Sequence, residues 1–118
     1  MGILSKLFGP KSKAPKRPPE QEITIRFLYG STNFQHMYAL EDLLRHAISD
    51  AGVGGYDGHD VREDGSEGVF YLYGPDAEAL YRAIGPLLAE SALMHGATVT
   101  LWFGPHGRRT QKRVIEIP

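Results

Sequence analysis

Three short stretches close an apolar, alternating run on a glycine: Phe27-Leu-Tyr-Gly30, Tyr71-Leu-Tyr-Gly74 and Leu101-Trp-Phe-Gly104. After the first two, the spacing of apolar residues changes from every second position to helical spacing. A strand therefore runs into a helix twice, and a third strand closes the second unit. Few architectures satisfy that order. Two βα units of this kind, with a strand between them, fold as a split βαβ sandwich with both helices on one face of an antiparallel sheet.

The first strand is Ile23 to Tyr29, with Ile23, Ile25, Phe27 and Tyr29 on one face. Gly30-Ser-Thr-Asn33 offers several N-caps. From about Gln35 to Ala51, residues Leu40, Leu43, Leu44, Ala47, Ile48 and Ala51 form one apolar stripe that stops at Gly52. Tyr56 to Arg62 reads as an edge strand, and Glu63-Asp-Gly-Ser-Glu-Gly68 as the turn of a hairpin. Val69 to Tyr73 is apolar on both faces, as a central strand is. Asp76 caps the second helix, with Glu78 in its first turn. The stripe of that helix continues to Gly96, and Gly85-Pro86 is expected to kink or split it. His95, just before Gly96, is placed to complement a negative helix end. Thr98 to Phe103 and Lys112 to Ile117 alternate as strands. The predicted class is α+β, a ferredoxin-like βαββαβ sandwich with an extra C-terminal strand and central strands 23–29 and 69–73.

The chain has 118 residues, enough for one hydrophobic core and not two. It contains no cysteine, which excludes disulfides, thiolate metal sites and cysteine nucleophiles. No apolar run reaches the length of a transmembrane helix. Its charge is divided into blocks. Residues 1–22 carry Lys6, Lys11, Lys13, Lys16 and Arg17 against Glu20 and Glu22. From Ile23 to Gly107, four arginines face eleven acids, and Arg108, Arg109, Lys112 and Arg113 then stand against Glu116 alone. The organisation expected is a short amphipathic segment over 1–8, a Pro/Lys-rich linker over 9–21 and one domain over 22–118.

Ile3, Leu4, Leu7 and Phe8 share helical spacing, and the basic residues that follow fit weak contact of residues 1–17 with an anionic membrane surface. Lys6 interrupts that stretch, which reads against a signal peptide, and Ser5 misses the position a myristoylation signal requires. A cytoplasmic location, peripheral at the inner membrane surface, is the expectation.

Few residues carry the pattern of a chemical site. The densest polar run is Tyr56 to Glu67, where Asp57 and His59 are expected to share a strand face, with Asp60 beside them. A calcium loop beginning at Asp60 fails, because Arg62 occupies its third position and Tyr71 its twelfth. His36, His46, His59, His95 and His106 follow no metal-ligand spacing. No serine lies in a nucleophile elbow, and Gly52-Val-Gly-Gly55 follows a helix where a phosphate loop would precede one. No catalytic residue, metal or cofactor is therefore expected. The aromatics of Val69 to Tyr73 miss the spacing of an RNA-recognition signature, and an acidic body repels a phosphate backbone, so nucleic acid is not the expected partner.

Counted from the closing glycines, the second face of the sheet presents Arg26 and Leu28 from the first strand. It adds Phe70 and Leu72 from the third strand and Trp102 from the fourth. That platform is more apolar than a solvent-facing sheet requires, and Trp and Arg are enriched at binding hot spots. The segment from Tyr56-Asp-Gly-His59 through Tyr73-Gly-Pro-Asp76 to the closing strand, about residues 50–105, resembles a group of small bacterial proteins of uncharacterised function. The resemblance implies a bacterial origin and brings no activity, cofactor or catalytic residue.

The leading expectation is a non-enzymatic module that binds a protein partner, or another copy of itself, through Arg26, Leu28, Phe70, Leu72 and Trp102. A second reading is a small ligand-sensing or hydrolase-like domain built on Asp57, His59 and Asp60. A third is an immunity-type inhibitor whose acidic body covers a basic partner.

Overall fold

The computed structural model describes residues 20–118. The expectations for residues 1–19, including the amphipathic segment, most of the linker and the membrane contact, lie outside the described residues. Five strands form one antiparallel sheet: β1 (Gln21–Leu28), β2 (Gly55–Val61), β3 (Glu67–Gly74), β4 (Thr98–Trp102) and β5 (Lys112–Glu116), in the spatial order β2-β3-β1-β4-β5. Two helices, α1 (Gln35–Ala51) and α2 (Ala77–Glu90), pack on one face, and a 3₁₀ turn spans Ala92–Met94. The protein is an α+β, ferredoxin-like sandwich with β5 added at the outer edge of β4. The strands expected to be central, β1 and β3, are both interior, and β1 begins at Gln21.

Alternation along each strand builds the core. Ile23, Ile25 and Phe27 of β1 stand beside Leu72, Phe70 and Gly68 of β3, and Ile23 and Ile25 stand beside Leu101 and Val99 of β4. Opposed residues in a sheet project to the same side. The helices cover that side with Met37, Leu40, Leu44 and Ile48 from α1 and Leu80, Ile84 and Leu88 from α2. Phe27 and Phe70 touch at 4.7 Å between ring centroids.

Local chemistry sets the helix ends. Asn33 Oδ1 accepts from Gln35 N at 3.1 Å where α1 begins. Gly52 ends α1 in the left-handed conformation, its N–H donating to the carbonyls of Ile48 and Ser49. Asp76 caps α2, its side chain accepting from Glu78 N and Ala79 N. The start of β2 passes so close to the end of β3 that a Cβ on Gly74 would lie 2.3 Å from the Val53 carbonyl oxygen.

Four local expectations need correction. Pro86 does not split α2, which runs unbroken from Ala77 to Glu90. Ile84 and Leu88, on either side of the proline, are both fully buried, and tertiary packing offsets the roughly 3 kcal/mol that an interior proline costs. The helix stops at Glu90, short of Gly96, and the chain continues as the 3₁₀ turn. His95 does not complement that helix end; its Nδ1 bonds the Pro118 carbonyl at 2.9 Å. Leu43 and Ala51 leave the buried stripe of α1: Leu43 is 53% exposed, while Met37 and Glu41 take buried positions on it.

Candidate functional site

The side of the sheet away from the helices carries the alternate residues of every strand. Glu22, Thr24, Arg26 and Leu28 of β1 lie between Val69, Tyr71 and Tyr73 of β3 and Thr98, Thr100 and Trp102 of β4. Lys112, Val114 and Glu116 of β5 extend the rows beyond β4.

Phe70 and Leu72 do not belong to this face. Both are 0% exposed on the helix side, because Phe70 is opposed to Ile25 and Leu72 to Ile23. The antiparallel register decides this, and a one-residue error in parity reverses every side chain. Arg26, Leu28 and Trp102 are on the helix-free face as expected, with Leu28 78% exposed.

Trp102 organises one end of the face. His106 stacks on its indole at 3.8 Å with planes 21° apart, and the Lys112 ammonium lies 4.9 Å from the ring centroid. The indole Nε1 reaches Thr24 Oγ1 at 3.5 Å. His106 Nε2 stands 2.7 Å from Glu22 Oε1, so the loop after β4 is tied to the first strand. Further along, Glu67 Oε2 accepts from Arg62 Nε at 3.1 Å and Arg26 Nη1 at 3.4 Å. The buried Tyr71 hydroxyl donates to Asp60 Oδ2 at 3.1 Å. Burial, reinforced by the Asp60 charge, pushes the Tyr71 phenol well above its ordinary pKa.

The Asp57, His59 and Asp60 segment is not one site. The register between β2 and β3 shifts between Tyr56 and Gly58, which makes Asp57 the extra residue of a bulge. Tyr56 opposes Leu72 and His59 opposes Phe70, so these two side chains lie toward the helices. Asp60 opposes Val69 and lies on the other face. Asp57 and His59 therefore do not share a regular strand face, and His59 and Asp60 are separated by the sheet.

The bulge brings different groups together. Tyr56 and His59 both reach Glu41, a buried carboxylate on α1. The Tyr56 hydroxyl donates to Glu41 Oε2, and His59 Nδ1 bonds the same oxygen at 2.5 Å. Arg45 lies over the Tyr56 ring at 4.9 Å, and Tyr38 is 6.1 Å from the His59 ring. Burial alone would raise the Glu41 pKa, yet the bonds from His59 and Tyr56, with the charges of His59 and Arg45, hold it below its ordinary value. Burial and the neighbouring carboxylate push the Tyr56 phenol far up, so it remains a donor. Glu41 was the signal available in sequence: a charged residue on the same helical stripe as Met37, Leu44 and Ile48 must find partners when buried. Among the described residues, no group of three or more metal-ligating side chains forms, and no helix is long and apolar enough to cross a membrane.

No family model matches the chain, and no curated protein matches it. Among solved structures, it is similar to that of Rv0793 from Mycobacterium tuberculosis, at 21% identity over 76% of this chain and 98% of the other, with a TM-score of 0.47.

Proposed function

We propose that this chain is a non-enzymatic, self-associating module whose contact surface is the β4–β5 side of the helix-free face. The observation that carries the reading is the pattern of β5. It is an edge strand, and among the described residues no strand pairs with its outer side. Val114 is 52% exposed at its centre. Lys112 and Glu116 flank it at equal spacing on the same face.

Two such strands paired antiparallel about Val114 place Val114 against Val114 and each Lys112 opposite the other copy's Glu116. Opposite charges facing across a strand pair stabilise it by roughly 0.2–1 kcal/mol each, and a two-fold axis repeats every such contact. Edge lysines usually discourage pairing, but here the partner strand supplies the neutralising carboxylate. Trp102, in the row of Lys112, then lies next to the junction and not at its periphery. The Glu41–Tyr56–His59 cluster supports the non-enzymatic reading, since its hydrogen bonds are spent on joining α1 to β2.

Sedimentation velocity on the full chain tests this. A concentration-dependent dimer is expected, with Lys112→Glu monomeric and the double swap K112E/E116K dimeric again. A wild-type chain that stays monomeric at high concentration overturns the reading, as does a double swap that fails to restore the dimer.

A further inference from the structure

On the helix side, away from the sheet face used above, a cleft of about 790 Å³ opens between the first half of α1 and the end of α2. Its volume falls within the range of small-molecule sites, roughly 300–1,000 Å³. Leu40, Leu43, Leu87 and Leu93 supply its apolar wall. Leu43 explains itself there: its exposed side chain, which the core does not take up, lines the cleft. The rim on the β1 side is braced, with the Tyr29 hydroxyl donating to the Asn33 carbonyl and Ser31 Oγ accepting from Asn33 N at 3.0 Å.

Among the described residues, the lining of the cleft includes no lysine or arginine; it includes the His36 imidazole and the exposed carboxylate of Glu90 beside Ser91. Both residues lie at the C-terminal end of α2, whose last turn holds no basic side chain. A helix C-terminus bears partial negative charge that a cation satisfies. An anion placed there meets the Glu90 carboxylate and the negative end of the helix.

We propose that this cleft is a binding site for a small apolar amine, with its hydrocarbon body on the four leucines and its ammonium group at the Glu90–Ser91 end. Six carbons suit the probe, since the body is held by burial of apolar surface and gains with each methylene.

The test is a titration of the isotopically labelled full chain with n-hexylamine, 1-hexanol and hexanoate, followed by amide chemical shifts. Hexylamine should move the amides of Leu40, Leu43, Leu87 and Leu93 in a saturable way. Its affinity should exceed that of hexanoate by about tenfold, the equivalent of about 1.4 kcal/mol. Glu90→Gln should remove most of that preference while hexanol binding stays the same. Ala39→Trp, which fills the cleft from an exposed position, should abolish binding of all three. If that variant does not fold, Leu43→Asn should weaken all three to a similar degree. Equal or tighter binding of hexanoate, shifts confined to the helix-free face, or no saturable shift overturns the proposal.

Discussion

The two faces of the sheet are made from the same five strands and held by different physics. Toward the helices, Ile23, Ile25, Phe70, Leu72, Val99 and Leu101 are shut away from water completely. Toward the other side, Thr24, Thr98 and Thr100 separate the Glu67–Arg26 pair from the Trp102–His106 stack. Burial of apolar area, at about 25 cal/mol per Å², holds the first face. Exposed ion pairs on the second contribute about 0–1 kcal/mol each. Val69 and Tyr71 are buried on the second face as well, so freedom to vary is confined there to exposed positions such as Leu28 and Val114.

Phe70 is the sharpest place to break that contrast. It meets Phe27 and Tyr56 in ring contacts, and truncation leaves a cavity beneath both helices. Phe70→Ala is expected to cost about 3–5 kcal/mol, read as a lower urea midpoint with an unchanged slope. Phe70→Glu is expected to leave no cooperative transition. Arg26→Ala, on the neighbouring strand but the opposite face, should cost under about 1 kcal/mol. Comparable losses for Phe70→Ala and Arg26→Ala would erase the distinction between the faces.

Glu41 qualifies the contrast, because it is a carboxylate on the apolar side. Glu41→Ala strands the Tyr56 hydroxyl and His59 Nδ1 and should cost about 1–3 kcal/mol. The folded state holds the Glu41 pKa below its ordinary 4.5, so folding favours the ionised form. That contribution is complete above the ordinary value and is lost as pH falls through the depressed one. Denaturant titrations from neutral pH down into the acid range should show wild type losing more stability than Glu41→Gln. Parallel curves would mean that the carboxylate does not depend on its partners.

Alternation, stripe spacing and turn residues made the element order legible, because each is a local property of the chain. Gln35 to Ala51 matched α1, and both interior strands were recognisable from their apolar runs. Parity was not legible for β3. Val69 to Tyr73 is apolar at every position, so the pattern of β3 alone does not say which set faces the helices. Only pairing with β1, which sets Phe70 beside Ile25, decides it. The Asp57 bulge was hidden for a related reason. An extra residue leaves composition unchanged and appears only as a shift in register against β3. Without that shift, Tyr56 and His59 would fall on opposite faces, and Glu41 could not collect both. Leu43 was misread because helical spacing identifies an apolar stripe and not what covers it.

The smallest expected effect separates the two helix starts. Asp76 accepts from two backbone N–H groups, Glu78 at 3.0 Å and Ala79 at 3.2 Å. Asn33 accepts from one at the start of α1, Gln35 at 3.1 Å. Asp76 also places a negative charge at the positive end of α2, where Asn33 offers only a dipole. Loss of an N-cap side chain costs roughly 0.5–2 kcal/mol. Asp76→Ala should therefore fall toward the upper part of that range, and Asn33→Ala, one residue before the Phe34 N-cap of α1, should cost less. Asp76→Asn keeps the acceptor and removes the charge, so it should recover most of the stability, with the remainder disappearing in high salt. If Asp76→Asn is as damaging as Asp76→Ala, then charge outweighs hydrogen bonding at this cap, and the difference between the two helix starts is electrostatic.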